Sequence, residues 1–268
     1  MKVAILMCGA VSLSYGRLRY PDNTTRINEG PYINYHATKI GIQNHIINAN
    51  PDCTFDFFLH GWNLNLEQNL VELYNPVSYL FEDNELYKND IIKKVKSCGS
   101  SKQRYGQVSW TLSMKRVSEL LKAYNQKYDI VIFYRYDILL MKDMVLSKCH
   151  QNKIYCNNET KHVEWAIQRN IKTRSGDFYF RMNYENALNF GLNLYNSFSK
   201  NLKPNDHQFW IPYITEYLNN SFVVDEDIDS EINIAHIRLL KKYNYSDLFL
   251  NVYGLTKEEI DSYVIDES

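Results

Sequence analysis

Short apolar runs rich in β-branched and aromatic residues alternate along this chain with longer stretches whose apolar residues recur every three or four positions. That alternation predicts strands followed by helices, and so a mostly parallel sheet with helices packed on it. Residues 2–7 form the first strand, which ends at Cys8-Gly9 and gives way to a polar segment carrying Arg17, Arg19 and Arg26. Residues 35–49 read as a helix, because Ile40, Ile42, Ile46 and Ile47 fall on one broad apolar side. Residues 54–60 (TFDFFLH) make the second strand, stopped by Gly61-Trp62-Asn63. A short helix over 65–74 leads through Pro76 into a third strand over 77–81. Residues 82–104 are charged and read as a loop around one short helix.

The helix over 107–126 carries the clearest periodicity. Trp110, Met114, Val117, Leu121 and Tyr124 make a stripe that packs on a sheet. It delivers the chain into a strand over residues 128–140, YDIVIFYRYDILL, the most informative stretch of the sequence. The run Ile130 to Tyr134 is short, uncharged and strand-favouring, as expected of a strand buried on both faces. Arg135 and Asp137 follow it directly. The carboxyl ends of strands in an open α/β sheet border the crevice where ligands bind. An aspartate there can hold a divalent metal on a diphosphate, and an arginine can pair with phosphate oxygens. The same two residues could equally form a structural ion pair that caps the strand.

Beyond Asp143 the pattern is less regular. Strands are expected over 153–156 and 174–181, and a helix over 184–198 with Ala187, Phe190 and Leu194 inward. Pro204-Asn205-Asp206-His207 starts a helix, with Asp206 placed as a cap, that runs to about 218. Residues 222–224 and 232–238 read as strands around an acidic loop, and the tail from 241 as polar and helical. No repeat, low-complexity segment or linker interrupts the 268 residues, so one α/β domain is expected.

A formal net charge of −1 provides no field for nucleic acid. No run of 18 apolar residues is present to span a bilayer. The start resembles a signal peptide, but one lysine precedes it, Gly9 breaks the apolar stretch and no small-x-small cleavage site follows. It reads as a strand. The five cysteines lack CxxC spacing, and Cys149, His150, Cys156 and His162 match no structural zinc pattern. A reducing, cytoplasmic compartment is the expectation. The 22 tyrosines are compatible with stacking on sugars, and equally with a low-GC codon bias.

The chain contains no GxGxxG after the first strand, no GxxxxGK[ST], no GxSxG and no HExxH. What it does contain is an ordered set of segments: FDFFLHGWN, YNPVSYLFED, a long loop, GQVSWTLSMKRVSELLKAYNQKYDIVIFYRYDIL, SGDFYF and PNDHQFW. In that order they resemble glycosyltransferase-like proteins with a GT-A-type fold, found in bacterial surface-polysaccharide clusters and large viruses. The resemblance covers about residues 2–218. It implies a single-domain, Rossmann-like, mostly parallel sheet flanked by helices. Residues 1–140 would form a nucleotide-binding half, 141–240 an acceptor half and 241–268 a helical tail. The implied activity is transfer of a sugar from a nucleotide-diphospho-sugar to a hydroxyl of a glycan or lipid-linked acceptor, in polysaccharide biosynthesis. An enzyme using a lipid-linked acceptor would work at the membrane periphery. A sugar nucleotidyltransferase and a non-catalytic glycan- or protein-binding module on a degenerate fold are the alternatives.

The resemblance also implies roles. GT-A enzymes use D-x-D to hold Mn²⁺ or Mg²⁺ on the donor diphosphate. Here Arg135 stands at the first position and only Asp137 remains, so Arg135 could take part of the metal's work. The loop after the first strand would hold the nucleotide, which selects Cys8, Gly9 and Arg17. Gly9 allows close backbone approach, or simply makes a turn. Trp62 would stack on base or sugar, or pack; His60 closes the same strand. Asp206 or Asp177 would serve as the base that deprotonates the acceptor. His236, late in an apolar strand, would complete the metal shell or be a core histidine.

Overall fold

The computed structural model describes residues 1–11, 33, 35–99, 105–146, 153–158, 175–199, 210, 213–214, 218, 221–229 and 234–236, with only the backbone course given for 158, 175–178, 221–229 and 234–236. Its strands are β1 (Lys2–Gly9), β2 (Thr54–Gly61), β3 (Ser78–Phe81), β4 (Ile130–Arg135), β5 (Ile138–Leu140), β6 (Lys153–Asn158), β7 (Ser175–Met182), β8 (Ser221–Asp229) and β9 (Ile234–His236). The helices are α1 (Tyr35–Ile42), continued by a π-helical turn over Gln43–Ile47, then α2 (Glu67–Tyr74), α3 (Lys88–Ser97), α4 (Tyr105–Tyr124) and α5 (Tyr184–Ser197).

Seven strands form one sheet in the order β3-β2-β1-β4-β7-β6-β8, and β5 pairs with β9 in a separate ribbon. Strands β3, β2, β1 and β4 run parallel, β7 is antiparallel to both its neighbours, and β8 is parallel to β6. This is the mixed, mostly parallel α/β sheet expected. The central position of β1 explains its unbroken apolar run, since side chains on both faces are buried. Ala4, Leu6 and Cys8 face a core built with Val117, Leu121, Phe133 and Phe190. Val3, Ile5 and Met7 face a second core with Ile42, Leu70, Ile132 and Tyr136. The period-2 alternation of one strand thus supplies both layers.

Three expectations are corrected. Residues 128–140 are not one strand: β4 stops at Arg135, Tyr136-Asp137 turn, and β5 joins β9 instead. Thr38 Oγ1 donates to the Tyr136 carbonyl at 2.6 Å, and Gly41 brings α1 close enough to β5 that an added Cβ would lie 2.8 Å from Leu139 Cδ1. Helix α1 therefore holds the turn where a straight strand would continue. Residues 225–229 are not a loop but part of β8, where a bulge between Asn157↔Asp225 and Asn158↔Asp229 absorbs the extra acidic positions. Tyr124, placed in the α4 stripe, is 41% exposed and meets the core at its edge, with an edge-on contact to Phe58. The helix start at 204–207, the polar segment after β1, residues 149–150 and 162, and the tail from 241 lie outside the described residues. No helix among the described residues is long and apolar enough to cross a membrane.

Candidate functional site

Parallel pairing brings several strand ends to one edge. Gly9 is paired with Gly61, Gly61 with Phe81, and Cys8 with Arg135. At Gly9 the backbone turns with φ +119°, and its amide donates to Ser113 Oγ of α4 at 2.8 Å. Two residues on, the Val11 amide donates to Asn63 Oδ1 at 2.8 Å. The loop after β1 is therefore tied to α4 on one side and to the end of β2 on the other. Cys8 is buried, with its thiol 3.8 Å from the Tyr134 carbonyl. Burial pushes that thiol up to about 12, so it is a neutral core group and not a nucleophile.

Beside it, Arg135 Nε donates to Asp137 Oδ1 at 2.9 Å and Nη2 to Oδ2 at 2.8 Å. Asp137 is 1% exposed, whereas the Arg135 side chain keeps 19% of its surface in solvent. The sequence left two arrangements open, side chains facing a cleft or an ion pair that caps the strand. In the fold Asp137 is closed onto Arg135, and the arginine is the member that reaches solvent. This geometry does not fit Asp137 as the anchor of a cation. Both its oxygens already accept from a guanidinium, whose charge repels a metal. Among the described residues no group of three His, Cys, Asp or Glu side chains could hold a metal ion.

Backbone register places two further sequence candidates at this edge. His236 lies opposite Ile138 in the β5–β9 ribbon, one position beyond Asp137. Asp177 lies on β7 beyond the Tyr134↔Tyr179 pair, next to the end of β4. The fold so brings together Cys8, Gly9, Arg135, Asp137, Asp177 and His236. Arg17 and Asp206 lie outside the described residues. Trp62 is placed otherwise than expected for a stacking residue. It is 1% exposed, with His60 edge-on at 4.6 Å and Tyr87 at 5.7 Å, and offers no ring face to a base or sugar.

Sequence reasoning noticed His60 but missed what it joins. Its Nδ1 lies 2.7 Å from Ser113 Oγ and its Nε2 3.1 Å from Glu82 Oε2, just past β3. Glu82 also accepts from the Tyr87 hydroxyl and lies 3.1 Å from Arg116 Nε. Burial lowers the His60 pKa, an effect that the Glu82 hydrogen bond only partly offsets. Burial would raise the Glu82 carboxyl, but hydrogen bonds from His60 and Tyr87 and the Arg116 charge hold it below the usual range. A serine inside the apolar stripe of α4 was the available signal, because a buried hydroxyl needs a partner.

No family model matches the chain, and no curated protein matches it. Its fold is similar to solved structures of very low identity. One is mouse xyloside xylosyltransferase 1 in its apo form, at 11% identity and TM-score 0.44, covering 94% of each chain. Another is CTP:phosphocholine cytidylyltransferase from Streptococcus pneumoniae, at 14% identity and TM-score 0.45, covering 93% of this chain and 99% of that one. A third is a galactosyltransferase in complex with donor and acceptor sugar analogs, at 12% identity and TM-score 0.35, covering 68% and 58%. These are likenesses of outline. The chemistry of the edge rests on the residues just described.

Proposed function

We propose that this chain is a nucleotide-sugar-dependent glycosyltransferase that delivers a hexose-type sugar to a hydroxyl of a glycan or lipid-linked acceptor. The observation that supports it most is the Arg135–Asp137 fork at the carboxyl end of β4, beside the positive-φ turn at Gly9. Negative charge builds on the diphosphate as the sugar leaves, and a preorganised guanidinium lowers the energy of that charge without reorganising. Asp137 fixes the guanidinium plane and is thus a positioning residue. The Gly9 turn gives the donor close access to backbone. Asp177 or Asp206 removes the acceptor proton as the hydroxyl attacks the anomeric carbon. No step is routed through a metal, because Arg135 already holds both oxygens of Asp137, the carboxylate expected to bind one.

A binding module without turnover is the second reading, favoured by the closure of Asp137 on Arg135. Thermal shift and calorimetry with UDP-, GDP-, CMP- and dTDP-sugars, with and without Mn²⁺, test both readings, followed by a hydrolysis assay on whichever donor binds. Binding with slow donor hydrolysis supports the transferase. Binding with no release of nucleotide from any acceptor mixture supports the module, and binding of none of the donors overturns the transferase.

A further inference from the structure

We propose that Ser113 and His60 are positioning residues of the donor site, forming with Glu82 a buried hydrogen-bond relay that holds the Gly9 peptide in its ligand-receiving orientation. Donor recognition is the part of this that rests on the glycosyl-transfer reading; the relay itself does not. Every link has one direction. Glu82 is a carboxylate and can only accept, so the proton between it and His60 sits on Nε2. The buried imidazole is neutral at pH 7, so Nδ1 carries a lone pair and accepts the Ser113 hydroxyl at 2.7 Å. With its own proton committed, the Ser113 oxygen accepts the Gly9 amide at 2.8 Å. Ser113 and His60 are both fully buried.

A structural core would not require these groups. Burying a hydroxyl and an imidazole is costly unless each is satisfied, and apolar residues of similar size would fill the same space. The groups converge on the one amide in β1 whose residue has a positive φ, at the edge where Arg135 ends its strand. From the other elements, Glu82 faces the imidazole from beyond β3, where it also accepts from Tyr87, and the charges of Arg116 and Glu119 act on it from α4. Trp62 seals its side with an edge contact at 4.6 Å. The relay thereby couples the end of β1 to a partly buried acid–arginine cluster of Glu82, Arg116 and Glu119.

The test compares Ser113→Ala, and Ser113→Thr as the hydroxyl-retaining control, with the wild-type chain. Expected for Ser113→Ala is a donor KM raised about tenfold with kcat within about twofold, the loss of one hydrogen-bond constraint on binding. Gly9 amide exchange should accelerate while the Ile5 amide in the same strand is unchanged, and Ser113→Thr should restore both. Unchanged Gly9 exchange, or equal acceleration at Gly9 and Ile5, overturns the proposal. If Ser113→Ala does not fold, ¹⁵N spectra of the wild-type imidazole decide: an Nε2–H tautomer at pH 7 supports the relay and an Nδ1–H tautomer overturns it. Should no nucleotide-sugar bind the wild type, the functional reading fails, while exchange and tautomer still decide the relay.

Discussion

Arg135 and Asp137 face each other across a single intervening residue, joined by two parallel hydrogen bonds of 2.9 and 2.8 Å where β4 leaves the main sheet. The pair satisfies a carboxylate that is 1% exposed and leaves the arginine side chain partly in contact with solvent. Under the proposed function this divides the labour: the aspartate serves the fold and the arginine is the member that would meet the donor.

Asp137→Asn should therefore destabilise the chain by about 3 kcal/mol, toward the low end for breaking a buried pair because Arg135 stays partly hydrated. Urea unfolding of the variant, with the midpoint lowered at an unchanged slope, checks this. Arg135→Lys keeps the charge but loses the fork. It should weaken donor binding by about ten- to hundredfold, from a loss of about 1.5–3 kcal/mol. Chelation by EDTA should leave wild-type donor affinity unchanged. An affinity that falls with EDTA would return Asp137 to the role of metal ligand.

Gly191→Ala should cost about 1–3 kcal/mol by overpacking. A Cβ there would lie 1.9 Å from Ser118 Oγ and 2.9 Å from Phe133 Cζ. Ser118 cannot easily swing away, since its hydroxyl donates to the Met114 carbonyl at 2.7 Å. The double variant with Ser118→Ala should recover part of the loss, which a thermodynamic cycle by denaturant unfolding measures.

Much of the sheet could be read from the chain because its signals are local. The apolar runs of β1, β2 and β4 and the stripe of α4 each carry their period within a few residues. The break at Tyr136-Asp137 could not, because it depends on α1 holding Tyr136 from 98 residues away. Likewise Arg135 and Asp137 were visible as a charged end to an apolar strand, but choosing between an open site and a closed pair required side-chain geometry. For Trp62 the sequence left stacking on a ligand and packing both open, and the packing of His60 and Tyr87 against it decides for burial. Ser113 was hidden because its partners, Gly9 and His60, are 104 and 53 residues distant.

Gly9→Ala should cost about 1–3 kcal/mol through backbone strain at φ +119°. Sterics add little, since the nearest atom to an added Cβ is Trp110 Cδ1 at 3.7 Å. Donor affinity should fall more than stability alone explains, because the turn itself is the proposed point of ligand approach. Calorimetric titration at a temperature where the variant is fully folded separates the two effects.

The two candidate bases predict different outcomes. Asp177 sits on β7 beside the end of β4, and Asp177→Asn should abolish transfer with donor binding retained if it takes the acceptor proton. Asp206→Asn should then lower only the melting temperature, as loss of a helix cap of about 1 kcal/mol would. The reverse pattern in a transfer assay, with donor binding measured separately, would assign the base to Asp206.

Acid should weaken the fold in two steps. The folded His60 pKa lies below its ordinary 6.5, so beneath that pH the unfolded chain binds a proton that the folded chain refuses. Stability is therefore independent of His60 well above 6.5 and falls as pH drops below it. Glu82 is held below its ordinary 4.5, so its contribution is present above 4.5 and is lost as pH falls through the folded value. His36, lowered by burial, acts in the same sense as His60, and His36→Asn serves as the control. Unfolding midpoints measured against pH should be level above 6.5, decline from 6.5 toward 4.5, and then fall more steeply as Glu82 protonates. In His60→Gln the first decline should shrink more than in His36→Asn. An unchanged slope would mean that His60 takes up its proton as readily in the folded chain as in the unfolded one, so that burial does not hold the imidazole of the relay neutral below pH 6.5.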